Sequence, residues 1–141
     1  MPETLPADIV LKPDRYGWTA EIPAERGSFL SHSILLELHT RSVPEDLVPP
    51  EPDDLEITLA CKVLEGLETV LEDSASQFLT YTAPLDRDAA NHIRHPHIWI
   101  SRESIETGSR WAFVIERDDA PDFGYQVEFD GIRCLGIWAG D

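Results

Sequence analysis

In "YQVEFDGIRCLGIW", residues 125–138, two runs of alternating apolar and polar residues flank Asp130-Gly131. Asp-Gly between alternating runs is a strong hairpin signal, because both central positions of a type I′ turn need positive φ. The stretch therefore predicts two antiparallel strands at the end of the chain. Alternation with Ile132 directs Cys134 into the sheet core, and Trp138 is expected to cap that core at the end of the last strand.

Strand signals continue upstream. "RWAFVIER" (110–117) alternates through Trp111, Phe113 and Ile115, and "HIWIS" (97–101) is a shorter run after a polar connection over 85–96. Near the start, "DIVLKPDRYGWTAEIP" (8–23) predicts two strands about a turn at "KPDR", with Ile9 and Leu11 before it and Tyr16, Trp18, Ala20 and Ile22 after it. "SHSILLELHT" (31–40) puts Ile34, Leu36 and Leu38 on one face, with His32 on the same parity. Leu35, Glu37 and His39 take the other face.

One helical segment interrupts the strands. "RSVPEDLVPPEPDD" (41–54) has four prolines in nine residues, which excludes a helix interior or a paired strand. It ends as a helix start should, with Pro52 near the first turn and Glu51, Asp53 and Asp54 at the positive end of the helix dipole. From Asp53 to about Asp73, Leu59, Ala60, Val63, Leu64, Leu67, Val70 and Leu71 share one face at helical period. Gly66 marks a close contact or a bend. "SASQFLTYT" (74–82) either extends this helix or begins a second, capped by Asp73 or Ser74, and Ala83-Pro84 stops it. The expected architecture is α+β: an antiparallel sheet of about six to seven strands with one long or two shorter helices on one face, in the order βββ-α(α)-ββββ. Residues 1–141 are expected to form a single domain, with 1–7 as a disordered terminus and 42–52 as a Pro-rich acidic loop.

The chain carries 27 acidic and 11 basic residues, a formal net charge of −16. The acidity is concentrated in 44–73, with ten acids against Lys62, whereas 84–117 balances five against five. Such a field repels nucleic acid and anionic membranes and attracts basic partners. No apolar run suits a signal peptide or a membrane span, and two cysteines, Cys61 and Cys134, suit a reducing cytosol, so a cytoplasmic protein is expected. Cys61 falls near the polar edge of its helix among acids, where its thiol would be blunted.

Two groups of residues could carry function. Projected at helical period, Asp54, Glu65, Glu68 and Glu72 cluster opposite the apolar face, with Glu45, Asp46, Glu51 and Asp53 as a rim from the preceding loop. Like charges at i,i+3 and i,i+4 repel, so this ridge suits the docking of a basic protein; a merely solvated face would also fit. The second group is His92, His95 and His97 in "NHIRHPHIW" (91–99), with Asp86 and Asp88 as possible oxygen donors. A catalytic zinc needs three ligands and an open position. Their spacing lacks the i,i+4 pair of a helical site, and Pro96 excludes a helix, so the expectation is a polar loop with no metal and no other cofactor. No nucleophile elbow or phosphate-binding loop is present.

Finally, "WAFVIER", "GYQVEFDG" and "IWAGD", preceded by an acidic helix, resemble small bacterial α+β domains of the toxin-immunity kind over residues 53–141. That resemblance implies a binding protein and transfers no functional residue. The leading expectation is an acidic inhibitor of a basic bacterial toxin. The alternatives are a metal-dependent enzyme or metal-binding protein built on the histidine cluster, and a structural domain that self-associates as a homodimer.

Overall fold

The structure, a computed structural model, describes residues 4–40, 44, 47–106 and 108–140. Seven strands cross one sheet in chain order: β1 Lys12–Pro13, β2 Trp18–Glu21, β3 Leu35–His39, β4 Ile93–Ser101, β5 Arg110–Arg117, β6 Gly124–Asp130 and β7 Arg133–Gly140. Helices α1 (Asp54–Glu65) and α2 (Leu67–Thr82) lie between β3 and β4 in sequence, and a short α3 (Arg102–Glu106) joins β4 to β5. The fold is α+β, in the order that the sequence predicts. One pairing departs from the antiparallel expectation: β3 and β4 run parallel, Leu35 opposite His97 and Glu37 opposite Trp99. Antiparallel neighbours can be joined by a hairpin, but a helical crossover returns the chain to the same end of the sheet.

Period-two alternation accounts for the core. Ile34, Leu36, Leu38, Ile98, Ile100, Phe113, Ile115, Val127 and Phe129 are completely buried, together with Val63, Val70 and Phe78 of the helices. Phe29 links these layers, with its ring 5.9 Å from Phe78 and 5.0 Å from Phe113.

Asp53 caps α1 through a reciprocal box: its side chain accepts from Glu56 N (3.0 Å), and Glu56 Oε1 accepts from Asp53 N (3.2 Å). Glu56 is buried, and Arg102 donates to its Oε1 from Nε at 2.9 Å and from Nη2 at 2.8 Å. The helical segment breaks at Gly66, where the sequence marks a bend, and not at Asp73 or Ser74, which lie inside α2. A Cβ on Gly66 would sit 3.1 Å from Ile132 Cγ2, so the bend fits the tip of the last hairpin. Cys61 is buried, not at a polar edge, and its Sγ donates to Thr4 O at 3.4 Å. Within the segment 1–7, expected as a disordered terminus, Leu5 packs on the core; residues 1–3 lie outside the described set. Within 42–52, residues 44 and 47–52 carry neither helix nor strand, and Pro50 O accepts from Trp18 Nε1 (2.9 Å) and Thr40 Oγ1 (2.8 Å).

Three turns differ from the sequence reading by small shifts. Lys12 and Pro13 belong to β1, and the turn is Asp14–Gly17, where Asp14 Oδ1 accepts from Tyr16 N (2.8 Å) and Gly17 N (2.9 Å). β4 begins at Ile93, directly after a 3-10 turn at Ala89–His92, so His95 is a strand residue and not a loop residue, and His97, where the sequence starts the strand, lies inside it. In the last hairpin Asp130 pairs with Arg133, leaving Gly131 (φ +62°) and Ile132 as the loop. Positive φ is then needed only at the first loop position, which glycine supplies.

An extra residue follows in β7. Phe129 faces Cys134, but Glu128 faces Gly136, so Leu135 is accommodated as a bulge beside Gly136 (φ +146°). One inserted residue reverses the facing of everything beyond it. Cys134, Ile137 and Ala139 pack on the core side, with Cys134 only half-buried. Trp138 is 44% exposed, on the other face, and does not cap the core.

Candidate functional site

Both long helices cover the face of the sheet that carries Leu36, Ile98 and Phe113. The opposite face presents Glu37 and His39 from β3, His97 and Trp99 from β4, Val114 and Glu116 from β5, Gln126 and Glu128 from β6, and Trp138 from β7. Register aligns them in rows: His97 faces Val114, Val114 faces Gln126, and Gln126 faces Trp138. Glycines at 124 and 140 pair at one end of these rows, and the missing side chains deepen the surface there. The result is a groove of about 450 Å³, walled by Tyr16, Trp99, Phe123 and Trp138 and bearing Glu37, Glu116 and Asp122.

At one side of the groove the chain concentrates imidazole around a single carboxylate. His39 Nε2 donates to Glu37 Oε1 (2.9 Å), and His95 Nε2 donates to Glu37 Oε2 (2.5 Å). His97 Nε2 lies 3.9 Å from the same Oε2. Tyr16 stacks on His39 at 6.1 Å, and Trp99 meets the His39 ring edge-on at 5.7 Å.

A distortion of β4 brings His95 in. Arg94 pairs with Glu116 and His97 with Val114, so three residue steps on β4 span two on β5. His95 absorbs the excess with φ +50°, the left-handed region that a non-glycine side chain disfavours by about 1–2 kcal/mol. Pro96, which has no N–H to pair, occupies the bulge beside it.

The electrostatics follow from these contacts. Burial alone would raise the Glu37 pKa, but hydrogen bonds from His39 and His95, with the pull of the His97 and His95 charges, hold it well below the usual carboxylate range. The hydrogen bond to Glu37 raises His95 above its ordinary value, against a smaller effect of burial. Burial lowers His97, and neighbouring carboxylates only partly offset it. His97 Nδ1 bonds the His95 carbonyl oxygen at 2.8 Å. A carbonyl only accepts, so the proton of neutral His97 sits on Nδ1, and the Nε2 lone pair is available on the Glu37 side.

The three histidines of the sequence cluster therefore separate. His92 Nδ1 pairs with Asp118 Oδ1 (2.9 Å) and lies 3.8 Å from Asp119 Oδ2, away from Glu37. Asp86 joins neither group: its Oδ2 accepts from Arg117 Nη1 (2.8 Å), and its Oδ1 accepts from Asp88 N (3.0 Å). The missing partner of His95 and His97 is Glu37, a residue that sequence reasoning placed on an outward parity without connecting it to them. Its alternation with His39 was the available signal.

The acidic helix residues remain at the surface. Asp54 and Glu65 lie on α1 and Glu68 and Glu72 on α2, all exposed, but the break at Gly66 divides them between two helices. Asp53 caps α1 and lies 3.8 Å from Arg102 Nε, while the Glu51 carbonyl accepts from Arg102 Nη2 (3.2 Å). Glu45 and Asp46 lie outside the described residues. Among the described residues no helix is long and apolar enough to cross a membrane. Comparisons of the chain with protein-family models, curated proteins and solved structures find no match.

Proposed function

We propose that the protein is a binding protein whose open sheet face receives an arginine- or lysine-bearing segment of a partner protein. The observation that carries this reading is the combination of surface aromatics and carboxylates in one groove. Tyr16 and Trp138 are 51% and 44% exposed and stand among Glu37, Glu116 and Asp122. Aromatic rings accept guanidinium groups on their faces and cover the alkyl stems of basic side chains, and carboxylates satisfy the charged ends. Tryptophan and tyrosine also dominate binding energy where they serve as interface anchors. A net charge of −16 adds long-range steering of a cationic partner. An immunity-type inhibitor that covers the basic active site of a toxin is the concrete form that this reading takes. The ridge of Glu65, Glu68 and Glu72 offers charge without an aromatic anchor, and the groove offers both.

The experiment sets the two acidic surfaces against each other. An oligo-arginine peptide is titrated into the protein at low and high salt, with tryptophan fluorescence as the signal. The expected result is binding that weakens with salt, falls at least tenfold in Trp138→Ala and in Glu116→Gln, and is unchanged in a Glu65→Gln, Glu68→Gln, Glu72→Gln triple variant. Loss in the triple variant with retention in the groove variants would overturn the assignment to the sheet face.

A further inference from the structure

We propose that Glu37, His95 and His97 form a site for a divalent ion of the zinc class, with a further coordination position open to the groove. One ligand atom from each of the three side chains lies within 4.8 Å of the other two. Tetrahedral zinc holds nitrogen and oxygen ligands at about 2.0–2.2 Å, which places neighbouring ligand atoms about 3.3–3.5 Å apart. The distances from Glu37 Oε2, 2.5 Å to His95 Nε2 and 3.9 Å to His97 Nε2, straddle that spacing. Each distance departs from it by less than about 1 Å. Two imidazoles and a carboxylate favour a zinc-class ion over calcium or magnesium, which prefer all-oxygen shells.

Groups around the ligands are arranged as supports. The bond from His97 Nδ1 to the His95 carbonyl fixes the tautomer that exposes the Nε2 lone pair. His39 holds the second oxygen of Glu37, which orients the carboxylate from behind. His95 is delivered by a strained bulge, a feature that persists where the surrounding structure enforces it and that clusters at functional sites. The open position lies beside Glu116, whose Oε2 is 4.0 Å from His95 Nε2. Without metal, the proton shared by His95 and Glu37 occupies the position between them. The ion takes that position, so ligation requires His95 Nε2 to be free of its proton. This inference does not depend on the partner proposed above, because its test uses the protein alone.

The full chain, treated with chelator and dialysed, is titrated with zinc chloride by calorimetry. The expected result is about one ion per chain, and abolition of stoichiometric binding in His95→Ala and in Glu37→Gln. His92→Ala should bind as the parent does. His39→Gln, a positioning change outside the ligand set, should weaken binding by about 10–100-fold. Circular dichroism of each metal-free variant verifies that it is folded. Cobalt(II) gives a reading on the parent that needs no variant: a site of four or five ligands absorbs visible light far more strongly than the six-coordinate aqua ion. Absence of binding at tenfold excess zinc, an aqua-like cobalt spectrum, retention in His95→Ala or Glu37→Gln, or loss only in His92→Ala would each overturn the assignment.

Discussion

The indole N–H of Trp138 donates to Glu128 Oε1 at 2.8 Å across the last two strands. The pair shares a face only because one extra residue enters β7 at Leu135. Trp138→Ala should therefore cost about 1 kcal/mol or less in denaturant unfolding, as surface changes usually do. Trp111→Ala should cost about 3–5 kcal/mol. The Trp111 ring is buried, stacks on Phe129 at 4.5 Å, and donates to Gly131 O at 2.6 Å. Equal losses in the two variants would return Trp138 to the core.

The imidazoles of β4 should titrate in opposite directions. In a residue-resolved nuclear magnetic resonance titration, His95 should lose its proton above pH 6.5 and His97 below it. Glu37→Gln should lower the His95 midpoint by removing the hydrogen bond that raises it. A His95 midpoint unchanged by that substitution would contradict the geometry.

Stability should follow with signs that partly cancel. The raised His95 pKa stabilises the fold fully below pH 6.5, and this is lost as pH rises through the folded midpoint. The depressed Glu37 pKa stabilises above about pH 4.5, and this is lost as pH falls through its folded midpoint. His97 opposes His95: below pH 6.5 the unfolded chain takes up its proton more readily, so stability falls with pH there. His97→Gln should consequently flatten the acid side of the stability curve between pH 6.5 and 4.5, measured by urea unfolding at fixed pH steps.

Gly17→Ala should be among the most damaging substitutions. A Cβ there would lie 2.0 Å from Leu38 O and 2.9 Å from Thr40 N, both backbone atoms of the adjoining strand and its exit. The β2–β3 edge must separate to admit it. The expected outcome is a melting temperature lowered by several degrees or more, with the Tyr16–His39 stack lost from near-ultraviolet circular dichroism.

Arg117 pins the approach to β4. It donates to both oxygens of Asp119 at 2.7 Å, to Asp86 Oδ2 at 2.8 Å and to the Tyr125 hydroxyl at 3.0 Å. The hydrogen bonds from Arg117 lower the Asp119 pKa to about 2. Arg117→Met should lower the melting temperature more than Arg26→Met, which breaks an ion pair with Asp8 at the surface. Equal effects would mean that the Arg117 network adds nothing beyond a surface ion pair.

Much of this fold is written in local pattern. Ile34, Leu36 and Leu38 alternate into the core as their spacing demands, and the bend falls at Gly66, where glycine makes a helix weakest. A bulge leaves no such trace, because inserting Leu135 changes no residue type while reversing every side chain after it; Cys134, before the bulge, keeps the core side that alternation assigns, and Trp138, after it, does not. The candidate site was legible in fragments only. His95 and His97 stood out by proximity, but Glu37 reaches them through a parallel pairing across two helices, which no short-range periodicity encodes.

That pairing also orders events in time. β4 to β7 connect through short links and can form by local contacts, whereas β3 must wait until the chain between Leu35 and His97 has been gathered in. Glu37 stands on one side of this seam and His95 on the other, so their shared proton is a clasp closed last. During refolding, the burial of Trp111 within the local meander should precede the signal of Trp99 beside His39. The clasp then marks the moment at which the two halves of the sheet become one body.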